Sequence, residues 1–407
     1  MRFFTLSTGA AALFLACAPG GGDSGSTNEG DGDGEAEGDG SGGTGTGGAG
    51  HSTGGSTGIG GIVGAGGLTS AGGGPSTGGA TGNGGQPGSG SGTGGAAPAS
   101  STFQVIGRDL YDRCGEKVVL RGVNEMIVWS AGRDGVPEYS EIAKTGANAV
   151  RIVWNSEGSA VELNTAINNA INNNLIPMIE HHDATGDLSL VPSVVDYWVQ
   201  TDVNNVIKAH EADLLLNIAN EAGATVTHPD FQSTYETAIT RLRNTGLTLP
   251  LIIDAPQWGQ DIDTLQAVGP ALIEHDPESN LMFSVHTWWH DPSGTRVTAE
   301  LQESVDMGLP LIIGEFAQHA VSGCDDAPFS YTTLLTEANK HQIGWLAWSW
   351  GGVDNADCAN DGSFDMTVGG VYGNWEEPWG EQVAVTHPYS IQNTSVRPAS
   401  ITTGACQ

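Results

Sequence analysis

Short apolar runs alternate with amphipathic segments along the chain from residue 117 onward. The runs are rich in Val, Ile and Leu, which is typical of parallel strands buried on both faces. Eight runs occur: KVVLRGVN, NAVRIVW, IPMIEHHD, DLLLNIANE, LPLIIDA, LMFSVHTWW, LPLIIGEFA and IGWLAWSW. The stretches between them have helical periodicity and end at Gly or Asn, as in TAINNAINNN and YETAITRLRNTG. The alternation predicts a single closed (β/α)8 TIM barrel. A doubly wound open sheet is the alternative, but neither GxGxxG nor a phosphate-binding loop follows the first run.

Polar and aromatic residues collect at the C-terminal ends of the predicted strands. In a barrel these ends lie on one face, and that face carries the active site in enzymes with this fold. A random distribution would place such residues at strand starts as often as at strand ends. The residues concerned are Asn124, Glu125, Arg151, Trp154, His182, Asp183, Asn220, Glu221, Asp254, Trp258, His286, Trp288, Glu315 and Trp348.

Glu221 and Glu315 each end a mostly apolar run, NIANE and LIIGE. Two carboxyl groups brought to one face of a barrel are suited to acid/base or nucleophilic work on one substrate. The alternative is that each Glu caps the N-terminus of the following helix, where acidic side chains are also favoured. The other strand-end residues favour the catalytic interpretation.

Several of the 11 Trp lie in the predicted loops, where indole faces can stack on the C–H faces of sugar rings. Trp258, Trp288, Trp348 and Trp350 are therefore candidate substrate-binding residues. The last two are two positions apart at a strand end, which predicts that they point the same way. Trp198, in a helical pattern, and Trp345, near a strand start, are predicted to be core residues.

A metal site is an alternative use of His181, His182 and Asp183. The two His are adjacent on a strand and therefore point to opposite faces, so they cannot bind one ion together. We expect neither a catalytic metal nor a cofactor.

The N-terminal 100 residues differ in composition from the rest. Residues 1–17 contain Arg2 and then an apolar stretch too short to cross a bilayer, which predicts a signal peptide. The sequence LFLAC resembles a bacterial lipobox and predicts lipidation at Cys17, with ordinary secretion as the alternative. Residues 18–100 are rich in Gly, Ser and Thr and predict a disordered linker. Residues 101–407 then form the catalytic domain, and we expect a monomer at the cell surface or outside the cell.

The net charge limits the possible binding partners, and the cysteine content indicates the compartment in which the protein folds. The net charge of −33 repels nucleic acid and anionic membranes, so a neutral substrate fits best. With Cys17 lipidated, the other four Cys form an even set, which predicts two disulfides. Cys324 and Cys358 follow the last two strands, which are neighbours in a closed barrel, and are predicted to pair. Cys114 and Cys406 are predicted to join the two ends of the domain.

The motifs together resemble glycoside hydrolase family 5, and within it the bacterial β-mannanases of its eighth subfamily. The resemblance spans about residues 117–395. It rests on AKTGANAVRIV, HDATG, VDYW, NIANE, WGQ, IIGEF and GWLAWSW, and above all on Asn-Glu after a fourth strand with Glu after a seventh. It implies a (β/α)8 endo-β-1,4-mannanase that acts with retention of configuration on mannan-type polysaccharides. With the expected lipid anchor at Cys17, the leading hypothesis is a surface-tethered enzyme of this kind.

The same resemblance implies a role for each matching residue. Glu221 corresponds to the general acid/base and Glu315 to the nucleophile. Arg151 corresponds to the arginine beneath the nucleophile, and Asn220 to the residue that binds the sugar 2-hydroxyl, although it could instead cap a helix. The family residues that line the scissile subsite and its floor correspond to His182, His286 and Trp348.

Three positions depart from the family pattern. Ala222 follows the acid where an aromatic residue is usual, Trp288 replaces the tyrosine that normally donates to the nucleophile, and AQHA follows GEF. These departures leave two alternatives to mannan hydrolysis. One is hydrolysis of another β-glycan such as cellulose, glucomannan or xylan, and the other is non-catalytic glycan binding.

Overall fold

The computed structural model describes residues 97, 99–320, 328–353, 364–376 and 378–406. Cys17, Cys324 and Cys358 lie outside the described residues, as do the predicted signal peptide and nearly all of the predicted linker. The lipidation site and the pairing of Cys324 with Cys358 therefore stay predictions.

Eight parallel strands close into a barrel, as the alternating pattern predicts. Around the barrel, each strand pairs with the next in the chain, and the last pairs with the first. The strands are β4 (Arg121–Glu125), β5 (Ala149–Trp154), β6 (Ile176–His181), β7 (Leu215–Asn217), β8 (Leu251–Asp254), β9 (Leu281–His286), β10 (Leu311–Glu315) and β11 (Gly344–Ala347), and they follow a separate sheet of β1 (Gln104–Ile106), β2 (Asp109–Tyr111) and β3 (Lys117–Val118).

Amphipathic helices surround the barrel and bury their apolar faces against the strands. Side chains at their starts satisfy free backbone N–H groups: Ser159 and Glu162 form a reciprocal capping box, and Thr227 accepts from the backbone of Asp230. The helices are α1 (Glu138–Ala143), α2 (Ala160–Asn172), α3 (Val191–Trp198), α4 (Thr201–His210), α5 (His228–Arg243), α6 (Ile262–His275), α7 (Thr295–Asp306), α8 (Tyr331–His341), α9 (Trp379–Glu381), α10 (Ile391–Thr394) and α11 (Ala399–Thr402). Among the described residues, no helix has the length and apolar character needed to cross a membrane.

The β1–β3 sheet closes the N-terminal end of the barrel. Phe103, Leu110 and Leu120 pack against the first inward-facing residues of the barrel strands, and Ile401 of α11 joins the same cluster. The disulfide between Cys114 and Cys406 ties this sheet to the C-terminal segment, which confirms the predicted pairing. Lys117 and Val118 belong to this sheet, so the first predicted strand is really two elements, and the barrel strand begins at Arg121.

Two strands are shorter than predicted, and both differences occur at the C-terminal ends of the barrel strands. The ladder of β7 ends at Asn217, so Glu221 lies four residues beyond the strand. Strand β11 ends at Ala347, before Trp348. Trp198 and Trp345 are fully buried, as predicted for core residues.

Candidate active site

Arg151 lies at the centre of the C-terminal face, on β5, with no exposed surface. A buried guanidinium is costly unless all its N–H groups are paired. All five N–H groups of Arg151 have acceptors. Nε donates to Asn217 Oδ1 at 2.9 Å, and Nη1 donates to Asn124 Oδ1 at 3.0 Å and to Glu315 Oε1 at 2.7 Å. Nη2 donates to Asn220 Oδ1 at 2.7 Å and to Asp254 Oδ2 at 3.1 Å. The surrounding side chains are thereby held in one arrangement around this cation.

Glu315 ends β10 and is almost completely buried. Burial alone raises the pKa of this carboxyl, but His286 and Arg151 outweigh burial and lower the pKa to about 2. Glu315 is therefore ionised at any ordinary pH. A carboxylate that is held ionised in this way is a suitable nucleophile.

Glu221 faces Glu315, and its pKa moves in the opposite direction. Burial and the negative charge of Glu315 raise the pKa of Glu221 despite the neighbouring His286. One oxygen of each carboxyl group lies within 4.8 Å of the other. This spacing agrees with the roughly 5–5.5 Å between the carboxyl groups of retaining glycosidases. The site thus pairs an anion with a carboxyl group that is harder to ionise than usual.

The backbone at Glu221 has an unusual conformation. Its φ of 44° is in the left-handed region, which a residue with a Cβ adopts only when its surroundings enforce it. Two hydrogen bonds hold the residue: its N–H donates to Asp254 Oδ2 at 3.3 Å, and its carbonyl accepts from the N–H of Gly186 at 3.0 Å. The chain therefore turns sharply at the carboxyl group that faces Glu315.

His286, at the end of β9, contacts both carboxyl groups through one nitrogen. Its Nδ1 lies 2.6 Å from Glu221 Oε1 and 3.3 Å from Glu315 Oε2. Burial lowers the pKa of His286, but Glu315, Asp254 and Glu221 outweigh burial and raise it to about 10. The imidazole is therefore cationic at neutral pH.

His181 ends β6 and His182 follows it, and the two side chains point to opposite sides of the strand as predicted. His182 Nδ1 lies 2.9 Å from the buried Glu180, and the ring stacks at 6.1 Å on Trp348. His181 packs edge-on against Trp198 on the helical side, where burial lowers its pKa to about 4. Only His182 contributes to the catalytic face.

Neither glutamate caps a helix. Helix α5 begins at His228 with Thr227 as its N-cap, and α8 begins at Tyr331 with Ser330 in that position. Asn220 does not cap a helix either. Its side-chain oxygen accepts a hydrogen bond from Arg151, and its side-chain nitrogen donates to Thr185 Oγ1. The capping interpretation of these residues is wrong.

Three of the four predicted Trp residues are buried, and only Trp258 is partly exposed. Trp348 is nearly buried against His182, and Trp288 packs edge-on against Phe364. Trp258 is half-buried and lies beside Gly186. A Cβ added at Gly186 would come within 2.6 Å of the indole nitrogen of Trp258. Trp350 is fully buried, and its Nε1 donates to the carbonyl of Gly370.

The prediction that Trp348 and Trp350 point the same way rests on strand alternation. Because β11 ends at Ala347, that alternation does not extend to either residue. Trp348 packs on His182, whereas Trp350 packs edge-on against Trp375. Trp350 is thus a buried residue that supports the site, and it has no exposed surface that a ligand could contact.

The family model described as Cellulase (glycosyl hydrolase family 5) matches residues 111–354. The chain belongs to glycosyl hydrolase family 5. It is 31% identical over 322 residues to the mannan endo-1,4-beta-mannosidase of Cellvibrio japonicus, covering 76% of this chain and 71% of the relative. A mannan endo-1,4-beta-mannosidase of Streptomyces lividans is also 31% identical, covering 69% and 75%.

The chain is also similar to solved structures of β-mannanases. The β-mannanase of Thermomonospora fusca in complex with mannotriose matches with a TM-score of 0.65 and 29% identity, covering 74% of this chain and 100% of that chain. The β-mannanase of Streptomyces thermolilacinus with mannohexaose matches with a TM-score of 0.66 and 29% identity, covering 74% and 99%. This family 5 protein is therefore a glycoside hydrolase.

Sequence reasoning missed three residues of the family 5 site. Trp129, in the loop after β4, meets the His182 ring edge-on at 5.6 Å and is half-buried. Glu180 and Asn217 lie inside the barrel and bond His182 and Arg151. A lone charge within the apolar run IPMIEHHD could have indicated Glu180, because a buried carboxylate needs a partner. Nothing in the sequence separates Trp129 from a core residue.

Glu221, Glu315 and His286 also have the spacing of a metal site, since one ligand atom from each lies within 4.8 Å of the others. Their chemistry opposes a cation. Arg151 already occupies Glu315 at 2.7 Å, and a protonated His286 has no lone pair to offer. The arrangement suits a family 5 hydrolase that uses protons rather than a metal.

Proposed function

We propose that the protein is an endo-acting hydrolase that cleaves β-1,4-mannosidic bonds within mannan-type polysaccharides, with retention of configuration. The observation that carries the proposal is the facing pair of Glu221 and Glu315, whose pKa values are shifted in opposite directions. The mannan endo-1,4-beta-mannosidases among the relatives support mannan as the polymer. The net charge of −33 favours a neutral polymer over an acidic one.

In the first step, the Glu315 carboxylate attacks the anomeric carbon from one face of the sugar ring. The bond from that carbon to the glycosidic oxygen breaks, and Glu221 gives its proton to the departing oxygen. The products are a covalent glycosyl ester on Glu315, a shortened chain with a free hydroxyl, and an ionised Glu221. Arg151 lowers the cost of holding the attacking carboxylate ionised before the step.

In the second step, Glu221 acts as a base. It takes a proton from water, whose oxygen attacks the anomeric carbon while the ester bond to Glu315 breaks. The second inversion restores the original configuration, and both carboxyl groups return to their starting protonation states. Retention follows from the close spacing of the two groups, which leaves no room for a water between the sugar and Glu315.

We assign sugar contacts on each side of the pair. Trp348 and Trp129, joined through His182, form an aromatic wall for the sugar that is attacked. Asn220, held by Arg151 and Thr185, is placed to bind the 2-hydroxyl of that sugar. Trp258 lies near the loop of Glu221 and belongs to the leaving-group side, since Glu221 protonates the departing oxygen.

The proposal is tested with a panel of soluble β-glycans: unsubstituted mannan, glucomannan, carboxymethyl cellulose and xylan. We expect the fastest release of reducing ends from mannan, with short oligomers of mixed length as the first products. Glu315→Gln, which keeps the shape of the side chain, is the matched inactive control. Faster cleavage of cellulose or xylan would replace the substrate assignment, and polymer binding without cleavage by the wild type would replace the enzyme assignment.

We also propose that residues 1–17 direct export, that Cys17 carries a lipid anchor, and that residues 18–100 are a linker between the anchor and the hydrolase domain. The composition of these segments supports the proposal. Cys17→Ser should release the enzyme from membranes into the medium. Deletion of residues 18–96 should leave turnover of soluble oligosaccharides within about twofold, because the segment carries none of the residues of the site.

A further inference from the structure

Asp254, the last residue of β8, has no exposed surface and contacts several of the residues that hold the catalytic pair. Its Oδ2 accepts from Arg151 Nη2 at 3.1 Å and from the backbone N–H of Glu221 at 3.3 Å, and it lies 3.4 Å from His286 Nε2. Its Oδ1 accepts from Asn217 Nδ2 at 3.0 Å. We propose that Asp254 is a positioning residue that keeps His286 in its cationic form and holds Glu221 in its turned backbone conformation.

A cationic His286 can stabilise the negative charge on both glutamates during the reaction. This step of the inference rests on the proposed roles of Glu221 and Glu315. Negative charge passes from Glu315 to Glu221 when the glycosyl ester forms. Nδ1 of His286 lies within reach of an oxygen from each, so one N–H can serve Glu315 before the step and Glu221 after it. This requires a proton on Nδ1 throughout the cycle.

Whether Nδ1 keeps its proton depends on the surroundings of the other ring nitrogen, Nε2. Nε2 faces the Asp254 carboxylate, so an unprotonated Nε2 would set a lone pair against an anion. With Asp254 ionised, Nε2 keeps its proton, and loss of the Nδ1 proton would remove the cation that contacts both Glu221 and Glu315. Asp254 thus stabilises His286 with protons on both nitrogens.

The surroundings of this pair include charges on several other elements. Asp254 is the negative group on the Nε2 side of the ring, opposite the two glutamates on the Nδ1 side. The titratable and charged groups that lie against His286 or Asp254 from other elements include Arg151 on β5, Glu221 after β7, Tyr235 on α5 and Glu315 on β10. Glu180 and His182, on and just after β6, interact instead with Arg151 and Glu315.

The second part of the role concerns the backbone of Glu221. A left-handed residue away from any strand ladder relaxes unless both of its peptide groups are held. The carbonyl is held by Gly186, and the N–H is held by Asp254. The same oxygen that faces His286 therefore also fixes the direction of the acid side chain.

The first test follows His286 by NMR on the full enzyme labelled with ¹⁵N-histidine, with Asn in place of His286 to assign its signals. In the wild type the ring should stay doubly protonated through at least pH 8. In Asp254→Asn it should lose a proton at a pH at least about one unit lower than in the wild type. A wild-type His286 that titrates near its ordinary value of about 6.5 overturns the proposal without any variant being needed.

The second test uses the pH dependence of kcat/KM on an activated aryl glycoside. Asp254→Asn should move the basic limb to lower pH by about one unit or more and leave the acid limb in place. Asp254→Glu keeps the charge and should keep the basic limb where it is, even where kcat falls. Asn217→Ala removes hydrogen bonds from the same network without removing charge, so it should lower activity with no shift of the limb.

Equal lowering of activity at every pH in Asp254→Asn, with His286 titrating as in the wild type, would reduce Asp254 to a structural residue. The NMR titration does not depend on the substrate, so it remains decisive if the polymer proves not to be mannan. An inactive wild type with a cationic His286 would instead count against the proposed reaction and leave the assignment of Asp254 to His286 standing.

Discussion

Arg151 and Glu315 form a buried ion pair in which Nη1 donates to Oε1 at 2.7 Å. The pair joins β5 to β10 across the barrel, and neither side chain has more than 4% of its surface exposed. Such pairs are costly to bury and lose most when only one partner is removed. The pair therefore sets both the charge of the nucleophile and the stability of the barrel interior.

Arg151→Met should raise the pKa of Glu315, because it removes a cation that now lowers it. The nucleophile must be ionised, so the acid limb of kcat/KM should move to higher pH by about 1–3 units. Arg151→Lys is the matched control: it keeps the charge but loses the planar set of donors, so the limb should move less while kcat still falls. An unmoved acid limb in Arg151→Met would contradict the pairing.

The two glutamates should give different products when azide rescues their Ala variants. In Glu221→Ala, an activated aryl glycoside still forms the ester on Glu315, so azide should attack the ester and give a β-glycosyl azide. In Glu315→Ala no ester forms, and azide in the vacated space should give the α-product. Without azide, the Glu315→Ala rate should fall about 10⁴-fold or more. Opposite anomers would reverse the assigned roles.

Glu125 at the end of β4 should destabilise the fold at neutral pH. Burial, together with Glu138 and Asp365, raises its pKa to about 8, so it is neutral when folded and ionised when unfolded between about pH 4.5 and 8. Stability is therefore lost as pH rises through this window. Glu125→Gln should raise the free energy of unfolding at pH 7 by about 1–3 kcal/mol and change it little at pH 4. Urea unfolding at both values checks this, and an equal gain at pH 4 would point to packing instead.

The disulfide between Cys114 and Cys406 spans 292 residues of chain. Replacing both Cys by Ser should lower the free energy of unfolding by about 2–5 kcal/mol, since the unfolded chain regains the freedom that the link removes. The bond lies at the end of the barrel opposite the two glutamates, so kcat at 25 °C should stay within about twofold. Reduction of the wild type should reproduce the loss of stability, and a large loss of kcat in folded Ser variants would contradict this separation.

The barrel and the catalytic pair could be predicted because both have local sequence signals. A strand buried on both faces leaves an apolar run, and the C-terminal strand ends converge by topology, so Glu221 and Glu315 could be placed together without knowing any contact. The residues that bond Arg151 were less visible. Asn217 lies within an apolar run, and its role depends on which interior position it shares with β5 and β8.

The wrong predictions came from extending local rules past the end of a strand. Alternation requires a continuous ladder, and β11 ends before Trp348 and Trp350, so their directions are set by contacts with His182 and Trp375. The same limit applies after β7, where hydrogen bonds from Gly186 and to Asp254 turn Glu221 toward its partner. Tertiary hydrogen bonds that join distant segments have no sequence signal of their own.

The β1–β3 sheet that closes the N-terminal end of the barrel also determines where the described ends of the chain lie. The N–H of Ala97 donates to the carbonyl of Gly115, and Arg113 bonds the carbonyls of Ser400 and Gly404, so both described ends of the chain leave from beneath the β1–β3 sheet. Glu221 and Glu315 lie at the opposite, C-terminal end of the barrel strands. A surface or a fusion partner attached at residue 97 or residue 406 would therefore lie at the end of the barrel away from the two glutamates.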